Sequence, residues 1–270
     1  MLYLFLSVFC SVLIANFLML LGRRGSFSML PVFLGNYFVA AIFSAVAIRP
    51  GTSSLFDLIF GLITGAFFLV NFWVYQKCIV ANGLSLSVGA MRIAMILPIL
   101  ISLIFFQESL NFWNIPGIIL GIVAFSLRTD PKALKNLLWI IALFIISGFS
   151  DASMKIFKEL GSQNEAFFVF LIFGSAFIYT LFSILAGRIR FSPILVLYGF
   201  LLGLPNRYST VFFLKALDTI PAAIAYPVVA VSIVLFSILS DIIFWKHKAQ
   251  PKDYLLWGLL ILSLILLNLR

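Results

Sequence analysis

Apolar runs of about 20 residues recur along the whole chain, separated by short polar interruptions. A helix rising 1.5 Å per residue needs about that length to cross roughly 30 Å of hydrocarbon. The pattern predicts ten membrane-spanning helices, at residues 2–21, 29–48, 55–75, 84–106, 112–127, 136–157, 166–186, 193–215, 220–244 and 254–269. With connectors this short, the expected fold is an all-α bundle that leaves no room for a soluble catalytic or nucleotide-binding domain. The function is therefore expected inside the bundle. The first span lacks a basic leader and is too long for a signal-peptide core, so it is expected to remain as a helix.

Composition agrees with an integral membrane protein. Of the 270 residues, 63% are hydrophobic and 10% charged, and the mean hydropathy is +1.19, outside the range of soluble globular domains. The formal charge of +9 does not point to nucleic acid, because the bases are scattered over short loops rather than gathered in a patch. No nucleic-acid partner is expected; membrane lipid is. Cys10 and Cys78 lie in different spans and form no CxxC pair, so they carry no redox signature.

Loop charge bears on orientation, since lysine and arginine concentrate on the cytoplasmic side. Odd-numbered loops hold eleven bases: Arg23, Arg24, Lys77, Arg128, Lys132, Lys135, Arg188, Arg190, Lys246, Lys248 and Lys252. Even-numbered loops and the C-terminus hold four, Arg49, Lys158, Lys215 and Arg270. Counted this way, both termini face outside.

The chain also carries an internal duplication. "ANFLMLLGRRGS" at 15–26 and "DASMKIFKELGS" at 151–162 both end in Gly-Ser at an offset of 136. Gly61, Gly65 and Lys77 recur as Gly199, Gly203 and Lys215 at an offset of 138. Two five-helix repeats, 1–130 and 131–270, fit this spacing. Because five is odd, the copies would enter the membrane in opposite directions, the arrangement of transporters that bind substrate near the midplane and alternate access.

"LKALDTIPAAIAYPVVAVSIVLFSIL" at 214–239 and "ANGLSLSVGAMRIAMILPILISLIFFQES" at 81–109 resemble the repeat signatures of EamA-type transporters in the drug/metabolite transporter superfamily. Glu108 falls where that family places a glutamate after helix four, whereas Lys246 holds the equivalent place in the second half. Arg92 before Pro98, and "GLPNR" at 203–207, are similar to one branch of the family. The resemblance implies a ten-helix carrier with its cavity among helices one, three, four, six, eight and nine. It implies cytoplasmic termini, against the loop charges, and a prokaryotic inner membrane.

Ionisable groups at a helix centre cost roughly 2.5 to 3.5 kcal/mol on insertion scales and usually face a cavity or a partner. Arg92 lies roughly 13 Å into the fourth span. It shares a face with Ser85 and Gly89. It is a candidate for binding a carboxylate or phosphate through its guanidinium fork; snorkelling, or a lock on a neighbouring helix, is the structural alternative. Ser147, Asp151 and Lys155 follow i, i+4, i+8 in the sixth span. That order favours an intrahelical ion pair. Functionally, Lys155 would hold an anion and Asp151 would exchange a coupling proton. Asp57 and Asp241 lie nearer helix ends and read as interfacial.

Pro205 in "GLPNRYST" predicts an unwound or kinked eighth span, with Asn206 and Arg207 beside the break as further substrate candidates. Pro221 suits an opening turn, and Pro227 should bend the ninth span. Tyr226 and Asn16 complete the substrate-binding set, and Asn71 is a weaker amide candidate. Amides such as these also commonly bridge helices.

No GxxxxGK[ST] or HExxH occurs, and the only histidine, His247, sits in a basic loop. ATP drive, a metal site, a cofactor and a catalytic triad are therefore unsupported. The expectation is a non-enzymatic secondary carrier of a small anionic or zwitterionic metabolite, such as an amino acid or organic acid. An intramembrane enzyme and a non-transporting scaffold or receptor are the alternatives.

Overall fold

In the computed structural model, the described residues are 1–22, 28–48, 50–51, 53–82, 84–127, 135–162, 164–244, 246 and 251–269. Arg23, Arg24, Gly25, Ser26, Arg49, Arg128, Lys132, His247, Lys248 and Arg270 lie outside them, as do the side chains of Ser85, Asp241 and Lys252. Each of the ten apolar segments is helical, and one is divided, so eleven helices are described. They are α1 (Leu2–Gly22), α2 (Leu30–Val46), α3 (Leu55–Asn82), α4 (Leu84–Ile93), α5 (Ile96–Phe105), α6 (Asn114–Leu127), α7 (Leu137–Leu160), α8 (Glu165–Ala186), α9 (Pro193–Leu217), α10 (Ala222–Ile243) and α11 (Pro251–Asn268). Among the described residues, six helical segments are long and apolar enough to cross a membrane, and α2, α6 and 253–268 are shorter apolar helices. The chain is consistent with a multi-pass membrane protein.

The division falls between α4 and α5, where Pro98 explains it. Proline has no N–H for the carbonyl four residues back. That carbonyl, Ala94 O, instead accepts from Leu97 N at 3.0 Å, and Met95 N donates to Arg92 O at 3.3 Å, the tighter i to i−3 pattern of a 3₁₀ turn. The eighth span, where a break was expected, stays helical from Pro193 to Leu217 with Pro205 inside it. The physical reason is that one missing donor is absorbed within a long helix held closely to a neighbour: a Cβ on Gly203, two residues before Pro205, would stand 2.6 Å from Val39 Cβ. Likewise α10 continues through Pro227, and Pro221 sits at its N-cap.

Two compact units are present, one built from Met1–Leu69 and Ile156–Ala216, the other from Val70–Lys155 and Leu217–Arg270. Each draws chain from both halves of the sequence. In the first unit, α2 packs along α8, and glycines permit near-contact of backbones. A Cβ on Gly199 would meet Val32 O at 2.0 Å, and one on Gly65 would meet Ile172 O at 2.6 Å. Stacked Phe157 and Phe168, 3.8 Å apart, are both fully buried.

Asp57 ties down a helix start in this unit. Its Oδ2 accepts from Ser54 N and Ser54 Oγ accepts from Asp57 N, a reciprocal capping box at the opening of α3. Its other oxygen accepts from Ser162 N at 3.0 Å, between α7 and α8.

In the second unit, α6 packs on α11 and α10 on α5 and α11. Ser263 Oγ donates to Gly117 O at 2.6 Å, and Asn114 Nδ2 to Leu267 O at 3.2 Å. Asn82 Oδ1 accepts from Lys135 N and Asn136 N, and its Nδ2 donates to Asn136 O, fixing the approach to α7. Gly148 faces the α4–α5 division: a Cβ there would meet Leu97 Cδ1 at 2.4 Å and Ala94 O at 2.9 Å.

Candidate functional site

The second unit gathers Arg92, Asp151, Lys155 and Tyr226. Arg92 lies in the last turn of α4, which ends at Ile93, just before the division that Pro98 imposes. Its Nε is buried and has no hydrogen-bond partner among the described residues. Asp151 and Tyr75 lie within electrostatic reach of it. No ion pair joins Arg92 to Asp151, so opposite charges act on each other across a gap. A buried guanidinium nitrogen without a partner is costly, and a polar space between the charges would offset that cost.

Asp151 stands in the middle of α7, and its surroundings differ by face. Ile141, Ile145 and Phe149 form an i, i+4, i+8 stripe, each more than 40% exposed, as expected of a lipid-facing surface. At about 100° per residue, Ser147, Asp151 and Lys155 lie on a stripe turned roughly 120° away. Asp151 is exposed there, while Gly148, Ala152 and Lys155, between it and the apolar stripe, are buried. A carboxylate open on a face other than the apolar exposed one has water, rather than hydrocarbon, as its physically favourable surroundings.

Around these charges the helices are cross-tied. Tyr226 Oη donates to the Asp151 carbonyl at 2.7 Å, linking α10 to α7. Ser147 Oγ donates to Asn71 Oδ1 at 2.7 Å, linking α7 to α3. Lys155, which spacing alone would pair with Asp151, lies 2.7 Å from Glu108 Oε1. Glu108 also accepts from Ala222 N at 2.9 Å and Ala223 N at 2.7 Å. It thereby caps α10, whose own N-cap, Pro221, supplies no side-chain bond. A carboxylate at a helix N-terminus is stabilised by the unpaired N–H groups and the macrodipole.

The first unit holds Asn16, Asn206 and Arg207. Asn16 Nδ2 donates within its own helix to Val12 O at 2.9 Å. Asn206 Nδ2 donates to Asn36 Oδ1 at 3.2 Å, and Arg207 Nε to Ser44 Oγ at 3.2 Å, both reaching from α9 to α2. The Arg207 guanidinium lies 4.9 Å from the Tyr208 ring, within cation–π range. Among the described residues no three His, Cys, Asp or Glu side chains group as a metal site.

Nothing in the sequence pattern singles out Tyr75, Ser44 and Asn36. Each sits in an apolar helix without a motif, and only the facing helix reveals its partner. Glu108 was visible through the family resemblance, but its contact with Lys155, 47 positions away, has no local signal.

Comparisons with known proteins fit the fold without naming an activity. No family model matches the chain. An uncharacterized protein of Haemophilus influenzae is 24% identical over 232 residues, covering 78% of this chain and 77% of that protein. A solved crystal structure superposes with a TM-score of 0.78 at 11% identity, over 99% of this chain and 96% of that one. That likeness shows the fold alone.

Proposed function

We propose that this protein is a secondary transporter that moves a small polar metabolite across a membrane by alternating access. In this reading ten helices span the bilayer as two inverted five-helix repeats of the EamA-like kind, in a prokaryotic inner membrane. The observation that carries it is the Arg92–Asp151 relation: two opposite charges at membrane depth, coupled but not in contact, with an unsatisfied guanidinium nitrogen and an open carboxylate.

Such a gap suits a zwitterion, whose carboxylate would meet Arg92 and whose ammonium would meet Asp151. With Lys155 matched to Glu108, the cation excess in this unit shrinks, which favours an amino acid over a simple organic acid. When no ammonium is present, Asp151 is the group that would carry a coupling proton. Tyr226 positions the backbone of Asp151; Asn16, Asn206 and Arg207 belong to the other unit.

Support for the repeat comes from reciprocal packing. Gly61 and Gly65 of the third span lie against Leu171 and Ser175 of the seventh, while Gly199 and Gly203 of the eighth lie against Val32 and Val39 of the second. If the third span corresponds to the eighth and the second to the seventh, this exchange is what a pseudo-twofold relation requires. Left-handed residues after α5, Gln107 at φ 52°, and after α10, Lys246 at φ 52°, follow the same correspondence.

Uptake and efflux of an amino-acid and organic-acid panel in proteoliposomes, with and without a proton gradient, tests the reading. Gradient-sensitive flux of a zwitterion is expected. Absence of flux for every solute, under either gradient direction, would refute it and leave an enzyme or receptor role.

A further inference from the structure

A cavity of about 590 Å³ opens within the first unit, a volume in the range of small-molecule sites. Arg207, Val211 and Lys215 all line it. Spaced i, i+4, i+8, they share one face of α9, and the two cations are about 12 Å apart along the helix axis. Arg207 is only 8% exposed and stands at the inner end of this stripe. Lys215 is exposed and lies in the last turn of α9, its ammonium 5.5 Å from the Tyr3 ring.

Of the remaining polar groups of the wall, Ser162 Oγ is buried without a hydrogen-bond partner among the described residues, and the others are engaged. Asn164 and Glu165, at the start of α8, also line the cavity. Asn164 caps that helix by accepting from Phe167 N, and Glu165 is neutralised by Lys158. The first turn of α8 contributes the positive end of its macrodipole. Arg207 uses Nε on Ser44, and its terminal nitrogens have no hydrogen-bond partner among the described residues. Two cations thus face the cavity without a matching acid among the described residues.

We propose that this cavity is a binding site for a small dianion, a dicarboxylate or a phosphomonoester, with Lys215 holding one charge at the rim and Arg207 the other at depth. Two acidic groups match two unopposed cations, and the guanidinium fork fits either carboxylate or phosphate. The same chemistry is offered by an anionic lipid headgroup reaching in from the bilayer. The site does not rest on the transport reading, since its readout is equilibrium binding.

The test uses the full chain in phosphatidylcholine nanodiscs, with Tm followed by tryptophan fluorescence at matched ionic strength. Succinate or inorganic phosphate at several times its Kd should raise Tm by roughly 2 °C or more. Lys215→Glu should abolish the shift, and so should Val211→Phe, which puts a bulky ring between the two cations on the same face of α9 without touching charge. Lys77→Glu, an equal charge change in the other unit, should retain it. If only phosphatidylglycerol discs give Lys215-dependent stabilisation, the dianion site is taken by a lipid phosphate and the proposed solute is overturned. No Lys215-dependent shift with any probe, or one that Val211→Phe leaves intact, overturns the site itself.

Discussion

Glu108 Oε1 lies 2.7 Å from Lys155 Nζ, and the same carboxylate accepts from two backbone N–H groups at the start of α10. One side chain therefore neutralises a cation of α7 and closes a helix that opens on a proline.

This double role predicts an asymmetry between the partners. Glu108→Ala removes the ion-pair partner of Lys155 and the acceptor of two α10 N–H groups, a loss of about 3–5 kcal/mol for a broken buried pair plus about 1 kcal/mol for the cap. Lys155→Met leaves the carboxylate still held by two N–H bonds, so its cost should be about 1–3 kcal/mol. Thermal unfolding in detergent should rank wild type above Lys155→Met above Glu108→Ala.

Close backbone approach makes Gly199 intolerant of any side chain. A Cβ there would stand 2.0 Å from Val32 O and 2.8 Å from Asn36 N, and backbone atoms cannot swing aside as a side-chain tip can. Gly199→Ala should lower stability by about 1–3 kcal/mol despite the helix-propensity gain of about 1 kcal/mol. Gly258→Ala, with nothing within 4 Å, should raise Tm slightly. Paired melting curves of the two variants check this.

Charge at the Arg92–Asp151 gap should govern flux rather than folding. Arg92→Ala and Asp151→Asn are each expected to reduce zwitterion transport in proteoliposomes at least about tenfold, the effect of losing one charged contact of about 1.4 kcal/mol. Arg92→Lys keeps the charge but not the fork and should retain part of the rate. Monodisperse behaviour with unaltered flux in all three variants would remove these residues from the site.

Much of the fold was legible from hydrophobic length alone, because each apolar segment, whatever its neighbours, has to satisfy its own backbone by becoming a helix. The prolines were harder to read. Pro98 and Pro205 each lack a donor, yet only the helix containing Pro98 divides, and that outcome depends on packing against Gly148 and Val39, which lie far away in sequence. Charges were legible as a set of residues and not as pairs: spacing favoured Asp151 with Lys155, but Glu108 reaches Lys155 from a loop. The exposed state of Asp151 follows from which neighbours surround α7, and no periodicity in its own helix reports that.

Water at Asp151 is the physical condition on which the account depends. In a background of Cys10→Ser and Cys78→Ser, single cysteines placed at 151 and at 149 separate the two exposed faces of α7, since a thiolate forms and reacts only where water reaches it. The measurement is the labelling rate with a charged, membrane-impermeant thiol reagent in sealed, folded proteoliposomes. Asp151→Cys should label readily, while Phe149→Cys should stay unlabelled. Equal inertness at both positions, under either side of addition, would contradict a wet interior and with it the proposed transport path.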